Sequence, residues 1–145
     1  MDECQVCQVE VERILPLRQK ILRAGMPGVS PRFPGDDAPG AVHLAALIGD
    51  EIVGCVTFLM SEYEGRPAWQ MRGMAVDTSR QGRGIGRRLL DQARAILGTV
   101  DSRRLWWCNA RTTAVPFYRA LGWETVSGEF EIPSIGPHYR MIYNL

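Results

Sequence analysis

Residues 68–97 read AWQMRGMAVDTSRQGRGIGRRLLDQARAIL and run from a predicted strand through a glycine-rich loop into a predicted helix. Apolar residues dominate 68–76, which predicts the strand. The helix is predicted from about Gly84 to Leu97, because apolar residues recur along one helical face. These residues are Ile85, Leu89, Leu90, Ala93, Ile96 and Leu97. Gly98 follows directly and is expected to end the helix.

The loop RQGRGIG, residues 80–86, has three glycines at alternate positions and two arginines among them. Glycine lets the backbone turn sharply and brings bare N–H groups close to a ligand. The arginines indicate an anion, most simply a phosphate. The first N–H groups of the following helix have no internal partners and lie at the positive end of its dipole. The loop is therefore predicted to bind a phosphate or pyrophosphate.

Two known phosphate-binding motifs do not match this loop. A Walker A loop has Lys followed by Ser or Thr after its final glycine, whereas Arg87 and Arg88 stand here. A dinucleotide fingerprint has GxGxxG, whereas the spacing here is GxGxG because the third glycine is Gly86. On the glycines alone, a turn that binds no ligand stays open as an alternative.

The segments before residue 68 predict one helix and several strands. They are a weak strand at 4–8, a helix at 10–23, a Pro/Gly-rich loop at 25–41, and strands at 42–48 and 52–63. Pro16 is expected near the start of the helix or at a kink. The tight turn at residues 49–51 indicates that the two later strands form a hairpin. The long loop is expected to shape a pocket.

The segments after residue 97 complete a mixed α/β pattern. They are a strand at 104–110, a short helix, and strands near 123–131 and 138–144. Thr112 or Thr113 is expected to cap the short helix, with Pro116 in its first turn and Gly122 at its end. The strand–helix–strand unit over 68–110 is predicted to be parallel and right-handed. The length of 145 residues indicates a single domain over 1–145.

Composition excludes several classes of protein. With 17 basic and 16 acidic residues the net charge is +1, which argues against a nucleic-acid partner or a polybasic membrane surface. No apolar run approaches the roughly 20 residues that cross a bilayer, and the start MDECQVCQVEVE does not resemble a signal peptide. We therefore expect a cytoplasmic protein with reduced thiols. Cys4 and Cys7 form a lone CxxC without a second half-site, so no metal site is predicted.

Two motifs together resemble the GCN5-related N-acetyltransferase (GNAT) superfamily. Residues 81–86, QGRGIG, match its Q/R-x-x-G-x-G/A signature, and residues 114–123, AVPFYRALGW, resemble its A-x-x-x-Y-x-x-x-G-F/W segment. Residues 71–76, MRGMAV, are similar to its fourth strand. The resemblance covers roughly residues 42–131. It implies an α/β fold with a mixed, mostly antiparallel twisted sheet, a central parallel β-α-β unit and helices on both faces.

The resemblance also implies acetyl-coenzyme A as a cosubstrate. Backbone amides of the loop would hold its pyrophosphate, over Gln81, Gly82, Arg83, Gly84, Ile85 and Gly86. Main-chain groups of the strand end, Met74, Ala75 and Val76, would pair with its pantetheine arm. Asn109 would bond the pantetheine with its side-chain amide. Many family members carry an asparagine where this chain has Arg111, so the contact made by Asn109 or Arg111 is left open.

The resemblance assigns the role of general acid to Tyr118. A free thiol has a pKa of about 8.5 and a tyrosine of about 10, so a protonated tyrosine can give its proton to a leaving thiolate. The alternative is that Tyr118 only packs on the buried face of its helix. Candidates for the base that deprotonates the amine are Glu62, Glu64 and His138, and a chain of waters is equally compatible. Residues 131–141, EIPSIGPHYRM, faintly resemble a segment of ElaA-like acetyltransferases, which favours His138 slightly.

The predicted function is transfer of acetyl from acetyl-coenzyme A to a primary amine by direct attack. The acceptor is expected to be a small molecule, with a protein amine as the alternative. Positioning of the reactants would supply up to about 7–11 kcal/mol of the barrier reduction. A catalytically silent acyl-coenzyme A sensor is the alternative from another class. Dimers are frequent among similar proteins, so a homodimer stays open.

Overall fold

The computed structural model describes residues 4–145. The strands are β1 (Cys4–Gln8), β2 (Val42–Ile48), β3 (Glu51–Tyr63), β4 (Arg66–Val76), β5 (Leu105–Arg111), β6 (Glu124–Thr125), β7 (Phe130–Ile132) and β8 (Gly136–Asn144). The α-helices are α1 (Leu15–Leu22), α2 (Ile85–Val100) and α3 (Val115–Ala120). No helix in this part of the chain is long and apolar enough to cross a membrane.

The chain forms two compact units. The first takes the described residues of Met1–Leu59 together with Gly73–Ser102, and the second takes Met60–Arg72 together with Arg103–Leu145. The boundaries fall within β3 and β4, so each of these strands contributes residues to both units. That 1–145 behaves as one domain stays a prediction.

The first unit contains β1, β2 and the first part of β3, paired antiparallel in that order. The segment 4–8, predicted only as a weak strand, is paired along its whole length with β2. The apolar core of the first unit lies where α1 meets the strands. It is formed by Val11, Ile14, Leu17, Ala45, Cys55 and Ala75. The predicted helix over 10–23 is shorter, with a 3₁₀ turn at Val11–Arg13 before α1. Pro16 lies in the first turn of α1 as expected, where its missing N–H removes no hydrogen bond of the helix.

Helix α2 buries the face that its sequence predicts. Ile85, Leu89, Leu90, Ala93 and Leu97 are all buried. The prediction that Gly98 ends the helix is wrong, since α2 continues to Val100. Gly98 does not adopt a left-handed conformation, and a glycine costs a helix only about 1 kcal/mol. The helix ends where Asp101 adopts an extended backbone with φ −157°.

The second unit confirms the parallel strand pair. β4 pairs with β5 in parallel, Ala68–Gln70 against Leu105–Trp107. β8 runs antiparallel to β5, and β6 and β7 each pair antiparallel with β8. The sheet is therefore mixed and mostly antiparallel, as the sequence analysis expected.

Aromatic rings fill the interior of the second unit. The Trp123 ring stacks on the Tyr143 ring at 5.5 Å and 19°, and the Trp106 ring contacts both. The predicted single strand near 123–131 is wrong, because the chain makes two short strands there. The Ser127 hydroxyl accepts a hydrogen bond from the Arg140 backbone N–H at 2.8 Å. A side chain thereby replaces a carbonyl of the ladder, which interrupts the strand.

The start of α3 differs from its prediction. Thr112 and Thr113 do not cap the helix, because they form a 3₁₀ turn that ends at Ala114. Ala114 occupies the cap position of α3 without a side-chain hydrogen bond. Pro116 lies in the first turn as predicted. Gly122 follows the helix with φ +99° and ends it, as predicted.

Candidate active site

The glycine loop of the first unit begins with a tight turn after β4. Asp77 accepts hydrogen bonds from the backbone N–H and the hydroxyl of Ser79, at 3.1 and 3.0 Å. The backbone N–H of Asp77 donates to the Val53 carbonyl at 2.8 Å. The Gln81 side-chain amide donates to the Val76 carbonyl at 3.1 Å. These bonds fix the direction in which the chain leaves the sheet.

Two glycines then lead into α2 in the left-handed conformation. Gly82 has φ +80° and Gly84 has φ +79°. A Cβ added at either position would meet nothing within 4 Å. Gly84 occupies the N-cap of α2, and no side chain caps the helix there. The first amides of α2 therefore lack a side-chain acceptor beside an open backbone, which fits a bound pyrophosphate.

The other predicted loop residues divide by exposure. Gln81 and Arg83 are exposed, whereas Ile85 and Gly86 are buried in the first turn of α2. Ile85 consequently packs in the core and can contribute to a ligand only through its backbone. Arg83 can reach solvent or a ligand with its guanidinium.

Charged side chains beside the glycine loop form ion pairs that the sequence did not predict. Lys20 of α1 forms an ion pair with Asp77 at 3.1 Å. The backbone N–H of Ser79, followed by Lys20, holds the pKa of Asp77 below its ordinary value. Arg80 pairs with Glu51 at 3.2 Å, so its charge is turned toward β3. An aspartate directly before Thr-Ser was the available sequence signal for this turn.

The residues predicted to contact pantetheine lie at the end of β4. Ala75 is buried in the first unit's core, while Met74 and Val76 are half-buried. The parallel register of β4 covers Ala68–Gln70, and Met74 and Val76 follow it in the strand. Asn109 likewise follows the part of β5 that pairs with β4.

Tyr118 of the second unit is buried, with 7% of its surface exposed. Its ring lies 5.3 Å from the Trp123 ring and 5.3 Å from the Phe117 ring, between centroids. Burial, with a smaller contribution from Cys108, raises the pKa of the Tyr118 hydroxyl far above its ordinary value. Burial also raises the pKa of the Cys108 thiol to about 12. Both groups are therefore protonated at neutral pH, and Cys108 is not a ready nucleophile.

Cys108 and Asn109 are adjacent on β5, so their side chains lie on opposite faces of the strand. The Asn109 side-chain oxygen accepts a hydrogen bond from Arg140 Nε at 3.1 Å. His138 is 4% exposed, and its Nδ1 lies 2.7 Å from the Gly136 carbonyl oxygen. A carbonyl only accepts, so Nδ1 carries the proton, and Nε2 is the acceptor in the neutral ring.

The remaining candidates are placed differently. Glu62 is exposed near the end of β3. Arg111 is half-buried and lies opposite His138 in the β5–β8 register. Asn109 and Arg111 are on the same face of β5, since they are two residues apart.

The first unit contains a buried polar network that was not predicted from the sequence. Arg18 of α1 is fully buried and forms an ion pair with Asp36 at 2.7 Å. It also donates to the Thr57 hydroxyl at 2.6 Å and to the Pro31 carbonyl at 3.0 Å. His43 joins the network, 2.8 Å from Thr57 Oγ1 and 2.9 Å from the Asp36 carbonyl. The network ties residues 31–36 of the long loop to α1, β2 and β3.

Gly73 of β4 makes room for this network. It has φ +62°, and a Cβ there would lie 2.8 Å from Phe33 and 2.9 Å from Arg18 Nε. A glycine inside a predicted strand was the sequence signal for such a close approach.

The described residues contain no group of three or more His, Cys, Asp or Glu side chains that could hold a metal ion. Cys4 and Cys7 are three residues apart on β1, so their side chains lie on opposite faces of the strand. Such a pair cannot chelate one ion together.

A family model and a related protein both identify the family of this chain. A family model for an acetyltransferase (GNAT) domain matches residues 39–125. The chain is 28% identical over 147 residues to the uncharacterized N-acetyltransferase YitI of Bacillus subtilis (strain 168), across 97% of this chain and 96% of that protein. This chain belongs to the GNAT acetyltransferase family, and is an acetyl-coenzyme A-dependent N-acetyltransferase.

Solved structures share the fold at low sequence identity. Escherichia coli ElaA matches with a TM-score of 0.67 and 20% identity, over 98% of this chain and 99% of that one. An aminoglycoside 6'-N-acetyltransferase complexed with coenzyme A matches with a TM-score of 0.71 and 16% identity, over 97% and 96%. A putative N-acetyltransferase from Lactobacillus plantarum matches with a TM-score of 0.79 and 16% identity, over 99% of both chains.

Proposed function

We propose that this protein transfers acetyl from acetyl-coenzyme A directly to a small-molecule primary amine, with Tyr118 as proton donor to the leaving thiolate. The observation that carries the proposal is the neighbourhood of Tyr118 and Cys108. Burial keeps both side chains protonated. The phenol therefore carries the proton that a leaving thiolate would take up, whereas the thiol is poorly suited to forming an acetyl-enzyme intermediate.

The cosubstrate's pyrophosphate would be held by backbone amides over residues 82–86, at the start of α2. Support comes from the left-handed Gly82 and Gly84, the open space beside them, and the absence of a side-chain cap on α2. Main-chain groups of Met74, Ala75 and Val76, together with the Asn109 side chain, would align the pantetheine arm.

The transfer requires three proton movements. A base first removes a proton from the ammonium form of the acceptor. The nitrogen lone pair then attacks the thioester carbonyl carbon; a C–N bond forms, and the C–S bond breaks with its electron pair on sulfur. Tyr118 gives its phenolic proton to that sulfur. The proton that the nitrogen sheds on becoming an amide restores the phenol.

We assign the base to His138, with Glu62 as the alternative. The bond from Nδ1 to the Gly136 carbonyl directs the His138 lone pair to Nε2. The kcat/KM values of two variants separate the candidates. His138→Gln should lower kcat/KM at least tenfold, while Glu62→Gln leaves it unchanged. The reverse pattern would move the role to Glu62, and unchanged kcat/KM in both variants would indicate water.

Release of free thiol from acetyl-coenzyme A tests the central proposal. In Tyr118→Phe, turnover should fall about 100-fold or more, while calorimetry shows unchanged binding of acetyl-coenzyme A. Tyr139→Phe is the matched control, because Tyr139 is a half-buried tyrosine on β8 outside the proposed site. Full activity in Tyr118→Phe would contradict its role as acid. Tight binding without turnover of any amine would instead indicate a sensor.

A further inference from the structure

We infer that the acceptor amine also carries a carboxylate on an apolar or aromatic body, and that Arg140 binds this carboxylate. This inference rests on the proposed function and names the substrate class of the same reaction. It follows from one surface of the second unit, which we call the Arg140 face. Its members are Tyr63, Trp107, Asn109, Phe130, His138 and Arg140.

Aromatic rings hold the Arg140 guanidinium in place. Its Cζ lies 4.9 Å from the centre of the Trp107 ring and 5.9 Å from the centre of the Phe130 ring. The Trp107 ring also lies beside the Tyr63 ring, with 6.4 Å between their centroids. All four side chains are half-buried. A guanidinium fixed between rings is oriented before a ligand arrives, so less conformational entropy is lost on binding.

The charge of Arg140 is not matched by an acid of the protein. Its Nε donates to the uncharged Asn109 side chain. Among residues 4–145, no carboxylate forms a salt bridge with Arg140. The two Nη groups present parallel N–H donors in the geometry that suits a carboxylate. A half-buried cation without an acidic partner thus favours an anionic ligand.

Two further features bear on this surface. The indole nitrogen of Trp107 is buried and has no hydrogen-bond acceptor among the described residues. Glu64, in the turn after β3, is the acidic group that acts on Tyr63. Burial first, then the charge and hydrogen bond of Glu64, raise the pKa of Tyr63, whereas Arg140 opposes the rise.

The spacing of His138 and Arg140 suits an amino acid. The two residues are two positions apart on β8, which places them on one face about 6.5–7 Å apart. The Phe130 ring contacts both, since it also stacks on His138 at 6.2 Å. An ammonium at His138 can therefore belong to a molecule whose carboxylate reaches Arg140. The exposed parts of the Trp107, Tyr63 and Phe130 rings would contact its apolar side chain.

The same charge distribution disfavours polycationic acceptors. A polyamine or an amino sugar with several ammonium groups would place a positive charge against the Arg140 guanidinium. Discrimination would then come from repulsion as well as attraction.

Matched pairs of amines test the inference. L-phenylalanine and L-leucine are compared with their amides, and spermidine is added, with thiol release as the readout. We expect kcat/KM to be at least tenfold higher for each acid than for its amide, with spermidine the poorest acceptor. Amides that are equal to or better than the acids, or a preference for spermidine, would overturn the inference.

Variants of Arg140 localise the effect. Arg140→Met keeps the apolar stem between the rings, and should raise KM for the acids tenfold or more. The preference for each acid over its amide, expressed as the ratio of their kcat/KM values, should fall tenfold or more in this variant. Arg140→Lys should restore part of the affinity. Arg104→Met, an exposed arginine of the same unit, is the control and should match the wild type. An equal loss for acids and amides in Arg140→Met would overturn the assignment.

Binding of the product separates failure of this inference from failure of the proposed function. N-acetyl-L-phenylalanine should bind wild-type protein in calorimetry and lose at least tenfold in affinity in Arg140→Met. If acetyl-coenzyme A binds and another amine is acetylated, but neither the acids nor this product bind, only the inference fails. If no amine is acetylated, the proposed function fails, and absence of product binding then overturns the inference as well.

Discussion

Arg18 shows how much a single buried charge depends on its partners. Burial alone would raise the pKa of the Asp36 carboxyl. Hydrogen bonds from Arg18 and from the Phe33 N–H, together with the Arg18 charge, hold that pKa below its ordinary value. The guanidinium plane also lies over the Phe33 ring, 4.2 Å from its centre. Removing either partner therefore leaves the other buried and uncompensated.

We expect Asp36→Asn to lower the free energy of unfolding by about 3–5 kcal/mol at pH 7, as for other broken buried ion pairs. Because the folded pKa lies below the unfolded one, this contribution is present above the unfolded pKa of about 3.9. It is lost as the pH falls through the folded pKa. Urea titrations should therefore show the gap between wild type and variant narrowing below about pH 4.

Asp37→Asn is the control for this prediction. Asp37 is the neighbouring aspartate and pairs with Arg32 at 2.7 Å, but the Asp37 side chain is 76% exposed. Its replacement should have a much smaller effect, because solvent screens exposed pairs. Equal losses in Asp36→Asn and Asp37→Asn would contradict a special role for the buried pair.

At the scale of the element, α2 contains glycines with opposite requirements. Gly98 is exposed within the last turn, and a Cβ there would meet nothing within 4 Å. Its backbone is helical, so alanine fits without strain. We expect Gly98→Ala to raise the free energy of unfolding by about 0.5–1 kcal/mol. A denaturant titration that shows a loss would mean that Gly98 has a role that its surroundings do not reveal.

The N-cap glycine of α2 should instead affect the cosubstrate. Gly84→Ala introduces a side chain at φ +79° and should weaken acetyl-coenzyme A binding at least tenfold in calorimetry. The left-handed conformation also costs about 1–2 kcal/mol for alanine. Gly65→Ala controls for that cost, since Gly65 has φ +77° and equally open surroundings in the β3–β4 turn. Unchanged affinity in Gly84→Ala would exclude a close backbone approach to the phosphates.

The elements that were predicted correctly are those whose sequence pattern lies in adjacent residues. The glycine loop and the apolar face of α2 are properties of adjacent residues, so their pattern is visible in the sequence. The Arg18 network joins residues 18 and 39 positions apart, and no local pattern links them. The break between β6 and β7 depends on Ser127 meeting Arg140, which is also a tertiary event. Gly98 misled the prediction because a glycine marks a helix end only when its backbone turns left-handed.

The candidate site also combines parts that local sequence patterns predict with parts that depend on contacts between distant residues. The loop at 80–86 and Tyr118 are carried by compact motifs. The Arg140 face assembles from β3, β5, β7 and β8, and its residues look ordinary along the chain. The pairing of Asn109 with Arg140 and of Phe130 with His138, together with the contact between the Tyr63 and Trp107 rings, brings them together.

At the scale of the whole molecule, two spectroscopic signals report on different units. All four tryptophans, Trp69, Trp106, Trp107 and Trp123, belong to the second unit. Most of the α-helix belongs to the first, in α1 and α2 with 8 and 16 residues against 6 in α3. Tryptophan fluorescence thus follows the second unit, while the helical circular dichroism signal mostly follows the first.

We expect both signals to give the same thermal midpoint, because β3 and β4 contribute residues to both units and unfolding of either unit would disrupt these strands. Coincident transitions are the signature of a single cooperative domain. Acetyl-coenzyme A at 100 times its Kd should stabilise the protein by about 2.7 kcal/mol and move both midpoints together. Midpoints that separate, or a ligand shift confined to the circular dichroism signal, would mean that the units unfold independently. Binding energy gained at the loop of α2 would then not stabilise the unit that contains Tyr118.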